Sequence, residues 1–239
     1  MHVELFKIDH RFRGPPRSGN GGYTCGRIAK HIEGDVAVRL KAAPPLGVEL
    51  RLESSETQAR LLHGDSLVGE AKVSQLDLQA VPCPSDDVVD RAARSFIGFK
   101  DHRLPGCFVC GPQRKLGDGL YIFPGSLDDT STVAVPWTPD SSLADESGNV
   151  RSEFLWSALD CTGAFAFVPF PDDTVVVLGE LTASVSDHVR VGTRCTVLGW
   201  SLGSDGRKRL AGTAVYGPNG RLIALARAVW IEVPLSTWN

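Results

Sequence analysis

Glu153-Phe154-Leu155-Trp156-Ser157-Ala158-Leu159-Asp160-Cys161-Thr162-Gly163-Ala164-Phe165-Ala166-Phe167 reads as a helix with apolar residues on nearly every face. A helix of that kind is enclosed by other elements rather than laid on a surface. β-patterned sequence on both sides of it supplies the enclosure. One acid, Asp160, interrupts its middle. It sits too far in to cap the helix, and an unpaired buried carboxylate is costly enough to demand a partner. Two readings of Asp160 stand. It hydrogen-bonds a neighbouring backbone group or Arg and does no chemistry, or it is a general base or nucleophile in a partly dry pocket.

Outward from this helix the chain repeats itself. Downstream come Val175 to Leu178, Leu181 to Val185, Val191 to Trp200, Leu210 to Tyr216 and Leu222 to Val233, separated by turns such as Ser204-Asp205-Gly206 and Gly217-Pro218-Asn219-Gly220. The first half has the same order: Asn20-Gly21-Gly22 opens a helix over Tyr23 to Ile32, followed by Val36 to Lys41, Val48 to Glu53, Ala59 to Leu62 and Leu67 to Val73. Apolar and charged residues alternate with period two in these stretches, the pattern of half-buried antiparallel strands. Leu67 to Val73 lines up with Leu222 to Ala228, and Pro45 to Val48 with Arg190 to Thr193. Self-similarity of this length predicts a duplication. The expected fold class is α+β, with two antiparallel sheet-wrapped-helix units in one chain: residues 1–81 and 120–239. A linker, 82–119, carries a short helix from Val88 to Phe99, capped by Pro82 to Asp87, and a Cys-x-x-Cys loop. The second unit is expected to open with strands near Leu120 to Phe123 and Thr130 to Val135.

Composition narrows the function. With 239 residues, 42% hydrophobic and 22% charged, the chain is an ordinary globular protein. A net charge of −3 offers no basic field, so neither nucleic acid nor an anionic membrane is an expected partner. The opening Met1 to Lys7 lacks the apolar core of a signal peptide, and no apolar run reaches the length of a membrane span. Six cysteines without a secretory signal read as reduced thiols. The expected location is cytoplasmic.

These residues carry a resemblance. The chain is similar to the hotdog-fold acyl-CoA thioesterases, especially the phenylacetate-pathway type, in a tandem double-hotdog form. That type carries His-Gly-Gly at the start of the central helix and an Asp nine residues after the His. Here Arg151-Ser152-Glu153 stands in the second half, with Asp160 nine residues after Arg151. Asn20-Gly21-Gly22 stands in the first, with Ala29 nine residues after Asn20. In the family the glycine segment of one subunit faces the Asp of the other. The resemblance therefore implies one composite site, with Asn20, Gly21 and Gly22 from one half and Asp160 from the other. It implies hydrolysis of acyl-CoA or acyl-carrier-protein thioesters, no cofactor beyond the coenzyme A of the substrate, and a homo-oligomer of double units. Backbone N–H groups at the helix start would stabilise the oxyanion. Gly21 and Gly22 would let substrate approach that backbone. Asn20 would add a donor or simply cap the helix. Asp160 would activate water or attack directly. The alternatives are a hotdog dehydratase or hydratase, although no His accompanies Asp160 in its helix, and a non-catalytic acyl-CoA-binding protein.

Other motifs read as structure. Gly199-Trp200-Ser201-Leu202-Gly203 matches a nucleophile elbow, but a turn follows instead of a helix and the last His, His188, precedes the Ser. Cys107-Phe108-Val109-Cys110-Gly111 is half of a zinc-ribbon pattern. His102 and Cys83 are the only further ligands at hand and fit no standard spacing, so a tight turn without metal is expected. Trp156, Phe165, Phe167 and Phe170 read as core, some lining an acyl pocket. Arg190, Arg194, Arg207 and Arg209 read as a solvated face that could meet coenzyme A phosphates.

Overall fold

A computed structural model describes residues 1–127 and 131–238. Its first half runs β1 (His2–Lys7), α1 (Gly21–Ala29), β2 (Val36–Leu40), β3 (Glu49–Ser54), β4 (Gln58–His63) and β5 (Ser66–Val73). A connecting segment carries α2 (Asp86–Ala93) and the two-residue β6 (Gly125–Ser126). The second half runs β7 (Thr132–Trp137), α3 (Ser152–Ala164), β8 (Thr174–Val185), β9 (Cys195–Asp205), β10 (Lys208–Tyr216) and β11 (Leu222–Pro234). All eleven strands form one sheet in the order β1-β3-β4-β5-β2-β8-β11-β10-β9-β7-β6. Set β6 aside and the order reads the same from either end, with β1 answering to β7, β3 to β9, β4 to β10, β5 to β11 and β2 to β8. The duplication is thus built into the hydrogen-bond topology. The halves meet where β2 pairs antiparallel with β8, from Val36↔Ala183 to Arg39↔Glu180. The aligned turns agree in backbone as well, since Gly47 (φ 71°) and Gly192 (φ 79°) both hold the left-handed conformation that glycine adopts most readily.

The sheet curls around α3, whose residues from Phe154 to Ala164 are all buried. Strand alternation sorts the side chains. Val133, Val135, Cys195, Val197, Ala211 and Val215 face the helix, whereas Ala134, Leu198, Trp200, Ala214 and Tyr216 face outward and are covered by Val89 and Ala92 of α2. Fully burying side chains the size of Phe154, Leu155 and Leu159 contributes roughly 1.5–3 kcal/mol each. Against α3 lies α1, and the crossing is set by glycine. A Cβ on Gly22 would fall 2.5 Å from the Asp160 Cβ and 2.6 Å from the Trp156 carbonyl oxygen. One on Gly26 would fall 2.6 Å from the Glu153 Cα. Spaced four apart on one helical face, these two glycines bring the helices into near backbone contact.

Several expectations change, among them the helix expected from Val88 to Phe99, which begins at Asp86 and ends at Ala93. β1 was not anticipated as a strand, because its apolar Val3 and Leu5 point to solvent while Glu4 and Phe6 are the half-covered positions. Leu120 to Phe123 forms no strand: Tyr121 has φ 57°, which breaks the pleat. Only isolated bonds hold the segment, Leu120 N to Phe108 O at 2.8 Å and Ile122 N to Val109 O at 3.0 Å. The two stretches Val175 to Leu178 and Leu181 to Val185 are one strand, β8, with Gly179 left over as a bulge where Val229 pairs Glu180 and Trp230 pairs Leu178. The helix expected over Tyr23 to Ile32 starts earlier and stops at Ala29. Of the strand expected near Thr130 to Val135, Thr130 lies outside the described residues and the remainder falls on β7 from Thr132 onward.

Candidate active site

Asn20 caps α1, its Oδ1 accepting from the Tyr23 N–H at 2.9 Å. That anchors the amide, so its Nδ2 points across to the neighbouring helix and donates to Asp160 Oδ2 at 2.7 Å. The Gly22 N–H donates to the same oxygen at 2.9 Å. Three of the four expected site residues, 140 positions apart in sequence, therefore meet at one carboxylate oxygen. The other oxygen, Asp160 Oδ1, is buried with no protein partner. Burial pushes the Asp160 carboxyl up to about 7, while the Gly22 N–H and the Asn20 amide pull the other way. Such a group exchanges protons with water near neutral pH.

The glycines have roles that the sequence reading did not separate. The N–H of Gly22 is taken by Asp160, and its missing side chain makes room for α3 rather than for substrate. Gly21 lines the outer cavity, although a Cβ there would fall 2.8 Å from the Leu178 Cβ, so its missing side chain makes room for β8. As the first helical N–H, that of Gly21 has no intrahelical acceptor. At the matching place in the second half, Arg151 precedes α3 without a side-chain cap bond, and Ala29 stands where a second carboxylate would be.

Two cavities adjoin beside this carboxylate, which lines the outer one. The outer, about 410 Å³, is lined by Gly19, Asn20, Gly21, Lys41, Asp160 and Leu178 among others. The inner, about 170 Å³ and mostly apolar, is lined by Ile97, Ala164, Phe165, Val168, Phe170 and Val175 among others. Leu104, Cys107, Cys161, Val176 and Trp230 border both. Of the aromatics singled out in the sequence, Phe165 and Phe170 line the inner cavity, whereas Trp156 is buried and Phe167 half-buried against the core. None of the four arginines lines either cavity. Arg194 pairs with Asp86 and Asp90, and Arg209 with Glu232. Ser201 sits in β9 and accepts from the Gly203 N–H, which is strand geometry and not an elbow.

The Cys-x-x-Cys loop is folded into the same place. Phe108 is driven into an aromatic cluster with Phe12 and Phe154, and its N–H bonds the Arg13 carbonyl at 2.7 Å. This insertion brings Cys107 to Cys161 of α3, Sγ to Sγ 3.6 Å. Thiol hydrogen bonds from Cys110 and Cys161 hold the Cys107 thiol well below its ordinary range, while burial pushes Cys110 up. Neither ligand considered from the sequence joins the pair. Cys83 lies against the outer-face cluster, and the His102 Nδ1 accepts from the Leu104 N–H at 3.0 Å. The third sulfur is Cys161, next to Asp160. Its only sequence signal was that adjacency.

No protein-family model and no curated protein matches the sequence. Solved structures are similar in fold. A tesB protein from Mycobacterium avium subs paratuberculosis is similar over 97% of this chain and 93% of its own, with a TM-score of 0.64 at 12% identity. A conserved protein of unknown function with hot dog fold from Alicyclobacillus acidocaldarius covers the same shares at 0.62 and 11%. The fold is a double hotdog. An acyl-CoA thioesterase II, TesB2, from Mycobacterium marinum has it too, at 0.63 and 9% over 97% and 93% of the two chains. In the present double hotdog the single Asp160 is served by the helix start of the opposite half. No helix among the described residues is long and apolar enough to cross a membrane.

Proposed function

We propose that the protein hydrolyses thioesters of coenzyme A or of an acyl carrier protein, with Asp160 as general base. The observation that carries this reading is the asymmetry of the Asp160 carboxylate. One oxygen is fixed by Asn20 and Gly22, the other has no protein partner, and the residue borders the outer cavity beside the Cys107 and Cys161 junction with the inner one. The thiol-bearing arm of the substrate enters through the outer cavity and the acyl group fills the inner one, which puts the thioester carbon at the carboxylate. A water on the free oxygen loses its proton to Asp160 and attacks the carbonyl. The Gly21 N–H, left over at the helix start, faces the developing oxyanion. Collapse expels the thiolate, which takes the proton back. The similarly folded protein from Mycobacterium marinum, named an acyl-CoA thioesterase II, supports this assignment of substrate class.

An acyl-CoA panel tests it. Asp160→Asn should keep the bonds to Asn20 and Gly22 through its carbonyl oxygen, and turnover should fall by roughly 10²–10⁴-fold, the usual contribution of a positioned acid–base group. Binding of acyl-CoA should survive. Wild-type protein inactive across the panel, or a variant as fast as wild type, refutes the reading.

A further inference from the structure

The hydrolytic reading uses Asp160, Asn20 and Gly21, and leaves a buried cluster of sulfur beside them without a task. We propose that Cys107, Cys110 and Cys161 form a site for a thiophilic divalent cation of the zinc class, open on its fourth side to the two cavities. This goes beyond the hydrolytic reading and does not rest on it.

The geometry is that of a ligand set. The three Sγ atoms all lie within 4.8 Å of one another, and Cys107 and Cys161 stand 3.6 Å apart. In a tetrahedral site with metal–sulfur bonds of about 2.3 Å, sulfur atoms lie about 3.8 Å apart. The cluster needs adjustments of tenths of an ångström to meet that figure at its closest edge. Nor is it loosely held. The turn from Cys107 to Gly111 is closed by the Gly111 N–H on the Cys107 carbonyl at 2.9 Å, and a Cβ on Gly111 would fall 2.4 Å from that carbonyl oxygen. Phe108 pins the loop from within. Cys161 comes from the enclosed helix α3, so the third ligand has a rigid mount as well.

Simple packing does not explain the arrangement. Thiols are weak partners for one another, and the side-chain polar groups beside these sulfurs stand at long range: the Asn20 Nδ2, 3.9 Å from both Cys107 and Cys161, and Asp160 Oδ2 at 4.0 Å from Cys161. A dication and three thiolates leave one net negative charge. The Asn20 amide and the backbone N–H groups of Val109 and Cys110, which face the Cys107 sulfur, offset it. His102 is not the fourth ligand. Its Nδ1 already accepts from Leu104, so the ring proton sits on Nε2. Because Cys107 and Cys161 border both cavities, a water or an entering ligand takes the fourth position, the pattern of three protein ligands plus one exchangeable one. Thiolate donors select zinc-class ions over magnesium or calcium.

The test is metal binding by the full chain, stripped with chelator and kept reduced and anaerobic, with folding checked by circular dichroism. Cobalt(II) added to wild type should give an intense near-ultraviolet thiolate-to-cobalt band that saturates at about one ion per chain and is bleached by zinc(II). Cys110→Ser and Cys161→Ser should lose the band, while Cys83→Ser and Cys195→Ser should keep it. Folded wild type that shows no band overturns the proposal, and so does a band that survives both Cys110→Ser and Cys161→Ser. Because the readout is cobalt absorption, loss of hydrolysis would leave this result standing, and the reverse holds too.

Discussion

Gly22→Ala puts a methyl carbon 2.5 Å from the Asp160 Cβ and 2.6 Å from the Trp156 carbonyl oxygen, on the tightest point of the α1–α3 crossing. Neither obstacle is the far end of a flexible side chain, so the helices must part by roughly 1 Å, against ordinary contact of about 3.5 Å. Overpacking of this kind costs about 1–3 kcal/mol. Alanine returns up to about 1 kcal/mol of helix propensity. Separation also lengthens the Gly22 N–H bond to Asp160 Oδ2 from 2.9 Å, and a hydrogen bond to a charged group contributes about 1.5–3 kcal/mol. The net expected loss is about 3 kcal/mol, or roughly 6–12 °C in Tm for a chain of this size. Gly26→Ala separates the two effects. Its Cβ meets the Glu153 Cα at 2.6 Å in the same crossing, one turn away from the carboxylate. Both variants should lose stability in urea unfolding, Gly22→Ala the more, and only Gly22→Ala should also lose about tenfold or more in kcat, since only it moves a hydrogen-bond donor of Asp160. A Gly22→Ala variant as stable as wild type, or a Gly26→Ala variant that loses as much kcat, refutes this account of the crossing.

Asn20→Ala removes both a helix cap and one of the two donors to Asp160, so unfolding should show a loss of about 1–3 kcal/mol, with kcat falling more than the same loss from Gly26→Ala brings. Ala164→Leu adds three carbons to the wall of the 170 Å³ inner cavity. A chain-length series should show kcat/KM falling at least about tenfold for the longest acyl groups while acetyl-CoA changes little. Cys195, whose thiol burial pushes up to about 11, should remain protonated at pH 8 and resist iodoacetamide in the native protein, reacting once urea unfolds it.

The sequence alone determined the repeat, because strand alternation and turn glycines are local signals and the same order of them occurs twice. It also singled out Asp160, since one acid inside an apolar helix is conspicuous whatever surrounds it. The pairing of Asn20 with Asp160 came from the family resemblance, and the hydrogen bonds at 2.7 and 2.9 Å now give it a geometry. Other features were decided only by the tertiary structure. β1 owes its place to pairing with β3, from His2↔Ser54 to Lys7↔Glu49, and not to any buried face of its own. Gly22 read as a place for substrate to approach the backbone and Gly26 carried no reading, yet it is the crossing with α3 that requires both, a distance no local pattern encodes. Cys161 joins Cys107 and Cys110 across 54 residues only because Phe108 is buried beside α3. Contacts of that kind depend on how two helices and a loop settle inside a curled sheet, and burial, not sequence spacing, sets them.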